Sequence, residues 1–106
     1  MIVHPEDVPV HSMGPGLRRR NMCVGPQTML CRFSMEAGSA VPTHAHPHEQ
    51  TGYCISGAFQ LTIGDETALV RAGDAWLVPG ATPHAAHFLE ACELVEIFVP
   101  VREDYL

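Results

Sequence analysis

The stretch from Pro42 to Gly57 decides the fold: Pro-Thr-His-Ala-His-Pro-His-Glu-Gln-Thr-Gly-Tyr-Cys-Ile-Ser-Gly. His44, His46 and His48 fall at alternate positions, and Gln50 carries the spacing into a Tyr-Cys-Ile run of strand character. Alternate residues of an extended chain share a face. Imidazoles and a carboxamide gathered on one face make a donor set for a borderline metal ion, because neutral imidazole suits zinc, nickel, copper or iron. The bland alternative is a solvated histidine-rich loop. A second histidine motif downstream weighs against it.

That motif is Gly73-Asp74-Ala75-Trp76-Leu77-Val78-Pro79-Gly80-Ala81-Thr82-Pro83-His84. Together the two stretches resemble the cupin family. Its first motif runs Gly, five residues, His-x-His, three or four residues, Glu, six residues, Gly. Gly38, His44, His46, Gln50 and Gly57 fit every interval, with Gln50 in place of the usual Glu. The second motif is matched by Gly73, Pro79 and His84. The resemblance implies an all-β jelly-roll barrel, a double-stranded β-helix, in a single domain over residues 1–106. Its parts would be an arm over 1–17, a first motif over 38–57 and a second over 73–84. A fold of this kind hosts many chemistries, so function has to come from the site.

Composition agrees with one soluble globular domain. The 106 residues are 46% hydrophobic, and at this size folding buries about two-thirds of the unfolded chain's surface. No apolar run reaches the roughly 18 residues of a membrane span. The opening Met1-Ile2-Val3-His4-Pro5-Glu6-Asp7 lacks the basic and apolar regions of a signal peptide. The four cysteines, Cys23, Cys31, Cys54 and Cys92, show no CxxC spacing and read as reduced, buried thiols of a cytoplasmic protein. A net charge of −6 argues against nucleic acid or an anionic membrane as partner.

Taken in order, the chain alternates short runs rich in Val, Ile, Leu, Phe and Thr with Gly and Pro punctuation, the pattern of a β-sandwich or barrel. Residues 1–17 read as an irregular arm because Pro5, Pro9 and Pro15 oppose regular structure. Leu17 to Val24 is a candidate edge strand. Thr28 to Met35 alternates, with Met29, Cys31, Phe33 and Met35 on the apolar face. Strands follow over Thr51–Ile55, Phe59–Ile63, Thr67–Arg71, Ala75–Val78, His84–Phe88 and Glu93–Val99, about nine in all. Gly64-Asp65 between two of them suits a two-residue type II′ hairpin.

Four protein donors, His44, His46, Gln50 and His84, leave open positions on a five- or six-coordinate ion. Because Gln50 is neutral, the ion keeps its full dipositive charge; a purely structural ion is the alternative. His48, between ligands and after Pro47, reads as support for them. His87, three residues from His84, points to the opposite strand face as a packed or surface histidine, and Glu49 is off-phase, either solvated or bonded to a neighbouring strand. On the last strand Leu94, Glu96 and Phe98 share one face and Val95, Ile97 and Val99 the other. Glu96 thus sits in an apolar setting, either as a proton-transfer group with a raised pKa or as the buried partner of an arginine. Arg18 and Arg20 share a face opposite Arg19, so at most one or two of the three can face a pocket, and pairing with acids such as Glu103 or Asp104 is the expectation for this cluster.

The His-Ala-His-Pro-His-Glu-Gln-Thr-Gly-Tyr run, the Val-Pro-Gly-Ala-Thr-Pro-His turn, the Leu-Arg-Arg-Arg cluster and the terminal Pro-Val-Arg-Glu-Asp-Tyr-Leu are similar to the KdgF group of cupins. These ketonise 4,5-unsaturated monouronates released from pectin and alginate. The resemblance implies one divalent ion (zinc, nickel, manganese or iron) on His44, His46, Gln50 and His84. It implies a catalytic set of Glu96, Phe98 and Arg102, with Arg102 on the substrate carboxylate or, alternatively, in a salt bridge at a dimer surface. It also implies a homodimer. The family acid is usually Asp, and Glu96 is one methylene longer. Another metal-dependent cupin enzyme, such as a dioxygenase or lyase, and a non-catalytic sugar-binding module are the competing functions.

Overall fold

A computed structural model describes all of residues 1–106. Ten strands form two antiparallel sheets: β1 (His11–Gly14), β2 (Leu17–Val24), β3 (Met29–Met35), β4 (Ala40–His44), β5 (Glu49–Ser56), β6 (Ala58–Ile63), β7 (Glu66–Arg71), β8 (Ala75–Val78), β9 (His84–Phe88) and β10 (Cys92–Val99). The larger sheet has the order β1-β2-β3-β10-β5-β8 and the smaller β4-β9-β6-β7. Two such sheets face to face, with consecutive strands passing between them, make the jelly roll expected of the sequence.

Two strands escaped the sequence reading. The arm is not irregular throughout, because His11–Gly14 hairpins onto β2, so β2 is an inner strand and not an edge. β4 contains Pro42 and has a bulge between Val41 and His44, which hides it from any search for clean alternation. The Gly64-Asp65 hairpin is as expected. Gly64 has φ +57° while Asp65 is not among the positive-φ residues, which matches type II′ and not type I′.

Alternation puts Met29, Cys31, Phe33 and Met35 of β3 and Leu94 and Phe98 of β10 inside, where they meet Phe59, Leu61 and Phe88 of the opposite sheet. Phe59 packs edge-on against Trp76 at 5.3 Å and lies 5.0 Å from Phe88; pairs of this kind contribute about 0.5–1.5 kcal/mol beyond burial. The outward positions of the larger sheet stay apolar: Tyr53, Ile55, Leu77, Ile97 and Val99 are all exposed. The four cysteines are unpaired, three of them buried. No helix is long and apolar enough to cross a membrane.

One glycine is demanded by packing. Gly52 lies between Trp76 on β8 and Glu96 on β10 in the sheet register, and a Cβ there would lie 2.0 Å from the Trp76 ring. The indole occupies the space that a side chain on β5 would fill. Gly52→Ala should therefore destabilise the protein by about 1–3 kcal/mol, as overpacking does, whereas the outward-facing Thr51→Ala should stay within about 0.5 kcal/mol. Chemical denaturation of the two variants checks this, and equal midpoints would refute it.

Candidate functional site

The histidines converge from the seam between the sheets. His44 ends β4 and His84 begins β9, and the register makes them direct cross-strand partners with ring centroids 4.2 Å apart. His46 follows on the β4–β5 connection, 4.9 Å from His84 and 5.6 Å from His44. One ring nitrogen from each of the three lies within 4.8 Å of the others, so the group could hold a metal ion.

The loops that carry the two motifs are pinned to each other. Ala81 N–H donates to the His46 carbonyl at 2.7 Å, and a Cβ on Gly80 would lie 2.4 Å from the Pro47 carbonyl oxygen. Ala81 is left-handed at φ 61°, a conformation that costs about 1–3 kcal/mol in a non-glycine residue and persists only where its surroundings enforce it.

The imidazole tautomers follow from backbone carbonyls. Nδ1 of His44 lies 2.9 Å from the Pro42 oxygen, Nδ1 of His46 3.2 Å from the His48 oxygen and Nδ1 of His84 2.8 Å from the Thr82 oxygen. A carbonyl can only accept, so each Nδ1 donates and each neutral ring turns an Nε2 lone pair to the cluster. Nε2 of His46 and of His84 is buried without a partner, as is Oε1 of Gln50. Three buried acceptors with nothing to accept from are what a divalent cation would satisfy, so the donor set fits a metal. Burial pushes the His46 pKa down to about 4, with the Arg102 charge adding to it, and burial lowers that of His84. Both rings are therefore neutral and ligand-ready near neutral pH.

Gln50 is oriented by Glu96. Its amide nitrogen donates to Glu96 Oε2, which fixes the amide so that Oε1 is the atom left over. The same Oε2 accepts a second bond, from the Trp76 indole at 3.0 Å. Burial raises the Glu96 pKa, and the Trp76 and Gln50 donors oppose the shift. No arginine lies within ion-pair distance of Glu96, although the Arg102 charge also opposes the shift. Trp76 is the group the sequence reading missed. Its contact with Glu96 depends on Gly52 between them, a relation visible only once three strands are in register.

Of the residues singled out in the sequence, His44, Gln50, His84, Glu96, Phe98 and Arg102 line one cavity of about 520 Å³. His46 lies behind them, 6.0 Å from the Phe98 ring. His48 contributes its backbone oxygen, as above; Glu49 and His87 point to solvent. Arg102 is buried, and its Nε and Nη2 grip the exposed Asp104 carboxylate at 3.3 and 2.7 Å. The expected pairing of the Arg18-Arg19-Arg20 cluster with Glu103 or Asp104 is corrected. Arg18 pairs with Glu36, Asp104 is taken by Arg102, and Arg19 faces the cavity. The closing turn, Glu103–Tyr105, presents the Tyr105 ring and carbonyl to Arg19, while Asp104, at the cavity wall, turns its carboxylate to Arg102.

Comparison with known proteins agrees with this architecture. A family model described as a cupin domain matches residues 31–98, more than half of the chain. The chain is 26% identical over 103 residues to the pectin degradation protein KdgF of Dickeya dadantii (strain 3937), spanning 95% of this chain and 94% of that one. Among solved structures, KdgF from Halomonas sp. is similar at 28% identity and a TM-score of 0.93, covering 100% of this chain and 98% of the other. An RmlC-like cupin from Shewanella frigidimarina is similar at 27% identity and a TM-score of 0.94, covering 99% and 95%. The chain therefore belongs to the cupin family, as a KdgF-like member of it.

Proposed function

We propose that this protein converts 4,5-unsaturated monouronates, of the kind pectin and alginate breakdown yields, into their linear keto forms. The observation that carries this reading is Glu96. It is an acid outside every ion pair of the chain, at the cavity wall and hydrogen-bonded to Gln50 beside the histidine cluster.

The ring form of the substrate is a hemiacetal whose ring oxygen belongs to an enol ether. Opening it takes the proton from the anomeric hydroxyl, breaks the bond from the anomeric carbon to the ring oxygen and adds a proton at the enol carbon, so the net change is an isomerisation. Glu96 supplies the proton movement. Its Oε2 already accepts two N–H bonds, so Oε1 is the atom that takes up and returns the proton. Phe98 walls the cavity beside it and keeps water off. His44, His46, His84 and the Gln50 oxygen hold one divalent ion (zinc, nickel, manganese or iron), whose chemistry when bound is Lewis-acid polarisation of substrate oxygens. The substrate carboxylate lies toward the arginine side of the cavity, where Arg19 and Arg102 both stand.

The protein acts as a homodimer through the outer face of the larger sheet, where Tyr53, Leu77, Ile97 and Val99 form an exposed apolar surface. Its unpaired thiols suit the reducing cytoplasm.

Three outcomes are expected. Metal analysis should find one divalent ion per chain in the parent and little in His46→Ala or His84→Ala; undiminished content in both ends the metal assignment. Following loss of ultraviolet absorbance from unsaturated monouronate, Glu96→Gln should keep its metal but lose turnover by a factor of about 10² to 10⁴. Glu96→Asp should also be slower, because the shorter acid draws its oxygens back from the Trp76 and Gln50 donors. Full ketonising activity in Glu96→Gln removes the residue from the reaction. Sedimentation should give twice the chain mass, and a single-chain mass across micromolar concentrations rules the dimer out.

A further inference from the structure

The cavity holds two buried guanidinium groups, Arg19 and Arg102, each about 8% exposed. They lie against the same ring: Arg19 Cζ is 3.7 Å and Arg102 Cζ 3.9 Å from the Tyr105 centroid. Their electrostatic situations differ. Arg102 has a carboxylate in its fork, from Asp104, and its remaining Nη1 donates to the Tyr105 hydroxyl at 2.8 Å. All three of its nitrogens are engaged, and its charge is neutralised within the chain.

Arg19 has no acid partner; the protein's ion pairs are Arg18–Glu36, Arg32–Glu93 and Arg102–Asp104. Its Nε donates to Asn21 Oδ1 at 3.0 Å and its Nη2 to the Tyr105 carbonyl at 3.3 Å, both neutral acceptors. Nη1 makes no bond. Glu96 does not supply the missing charge. In the sheet register it stands in the row of Asn21, two strands away, which is about 10 Å of sheet, and Arg19 is one inward position further along β2. A cation taken out of water and left without an anion is costly, and here it faces an open cavity with its orientation already locked by Asn21 and Tyr105.

We propose that Arg19 is the seat for the substrate's carboxylate and that Arg102, held by Asp104, instead braces Tyr105 against it. The proposal rests on the sugar-acid reading above and makes Arg19 the residue that selects uronates over neutral sugars. A carboxylate arriving at Arg19 would meet Nη1 and the free N–H of Nη2 on a guanidinium that needs no rearrangement. A carboxylate arriving at Arg102 would first have to displace Asp104.

Trp76, the only tryptophan in the chain, lines the same cavity and reports binding by its fluorescence. The purified, metal-loaded protein is titrated with D-galacturonate and with D-galactose, and so are Arg19→Gln, Arg19→Lys, Arg102→Gln and Asn21→Ala. The parent should prefer the uronate. Arg19→Gln should weaken uronate binding by about 10- to 100-fold, the loss expected for charge-assisted bonds, and leave galactose unchanged. Arg19→Lys should recover part of the preference. Asn21→Ala, which removes a Tyr105 contact at 2.7 Å and the Nε bond of Arg19 but keeps the cation, should weaken uronate binding less than Arg19→Gln and keep part of the preference, which separates the charge from the loosening of its surroundings. Arg102→Gln should retain it too. An Arg19→Gln protein that still prefers the uronate, a parent that binds neither sugar, or loss of preference in Arg102→Gln alone overturns the assignment. The unsaturated monouronate assay on the parent is independent of these titrations. An inactive parent whose uronate preference depends on Arg19 sinks the proposed reaction and keeps the seat, and an active parent with an indifferent Arg19→Gln does the reverse.

Discussion

Three backbone carbonyls decide what the cavity can be. By accepting Nδ1–H from His44, His46 and His84, the oxygens of Pro42, His48 and Thr82 settle the tautomer of every ring and turn three lone pairs toward one point. Each carbonyl lies two residues from its histidine, so the constraint is local and is met wherever the chain leaves or enters a strand with that geometry. The fold then has to bring the three ends together. It does so by making His44 and His84 cross-strand partners and by pinning the β8–β9 turn onto the β4–β5 connection through Gly80 and Ala81. The left-handed Ala81 is the local cost of that docking.

The strands were legible because period-two alternation is strong where one face is buried. β3 is the plainest case, with Met29, Cys31, Phe33 and Met35 inside. β4 was not legible, since Pro42 and a bulge break its period, and β1 was masked by Pro9 and Pro15 on either side of it. The histidine donors could be read from spacing, because motif intervals survive the loss of everything else in a sequence. Trp76 and Arg19 could not be read in the same way. The Trp76 bond to Glu96 needs β8, β5 and β10 in register with a glycine in the middle strand. Strand parity correctly separated Arg19 from Arg18 and Arg20, yet the pairing assigned to the cluster failed. The partner of Arg19 is set by how the closing turn folds back, and that turn offers it a carbonyl and a ring.

The Gln50 position shows how a neutral ligand changes the charge layout. A carboxylate there would place its negative charge against the cation, whereas the amide keeps its oxygen at the cluster and passes the charge one hydrogen bond outward, to Glu96. A carboxylate can only accept, so it also dictates which end of the amide faces inward. The pair therefore acts as a unit: Gln50 needs an acceptor at Glu96 to be oriented, and Glu96 needs donors to be tolerated in an apolar wall.

That coupling bears on why the acid here is a glutamate. Gly52 gives up its side-chain volume to the Trp76 indole, and the indole N–H arrives at Glu96 from the far side of the β5 backbone. With Gln50 donating diagonally from the next inward position of β5, the two donors converge on a single oxygen, Oε2. An aspartate at position 96 would draw that acceptor back toward β10 by about the length of one methylene, enough to lengthen both bonds at once. Holding Oε2 this way leaves Oε1 as the atom of the carboxylate with freedom to exchange a proton. For the proposed reaction, orienting the Gln50 amide and moving a proton have to fall on different oxygens, and the Gly52–Trp76–Glu96 row leaves Oε1 free for the second role.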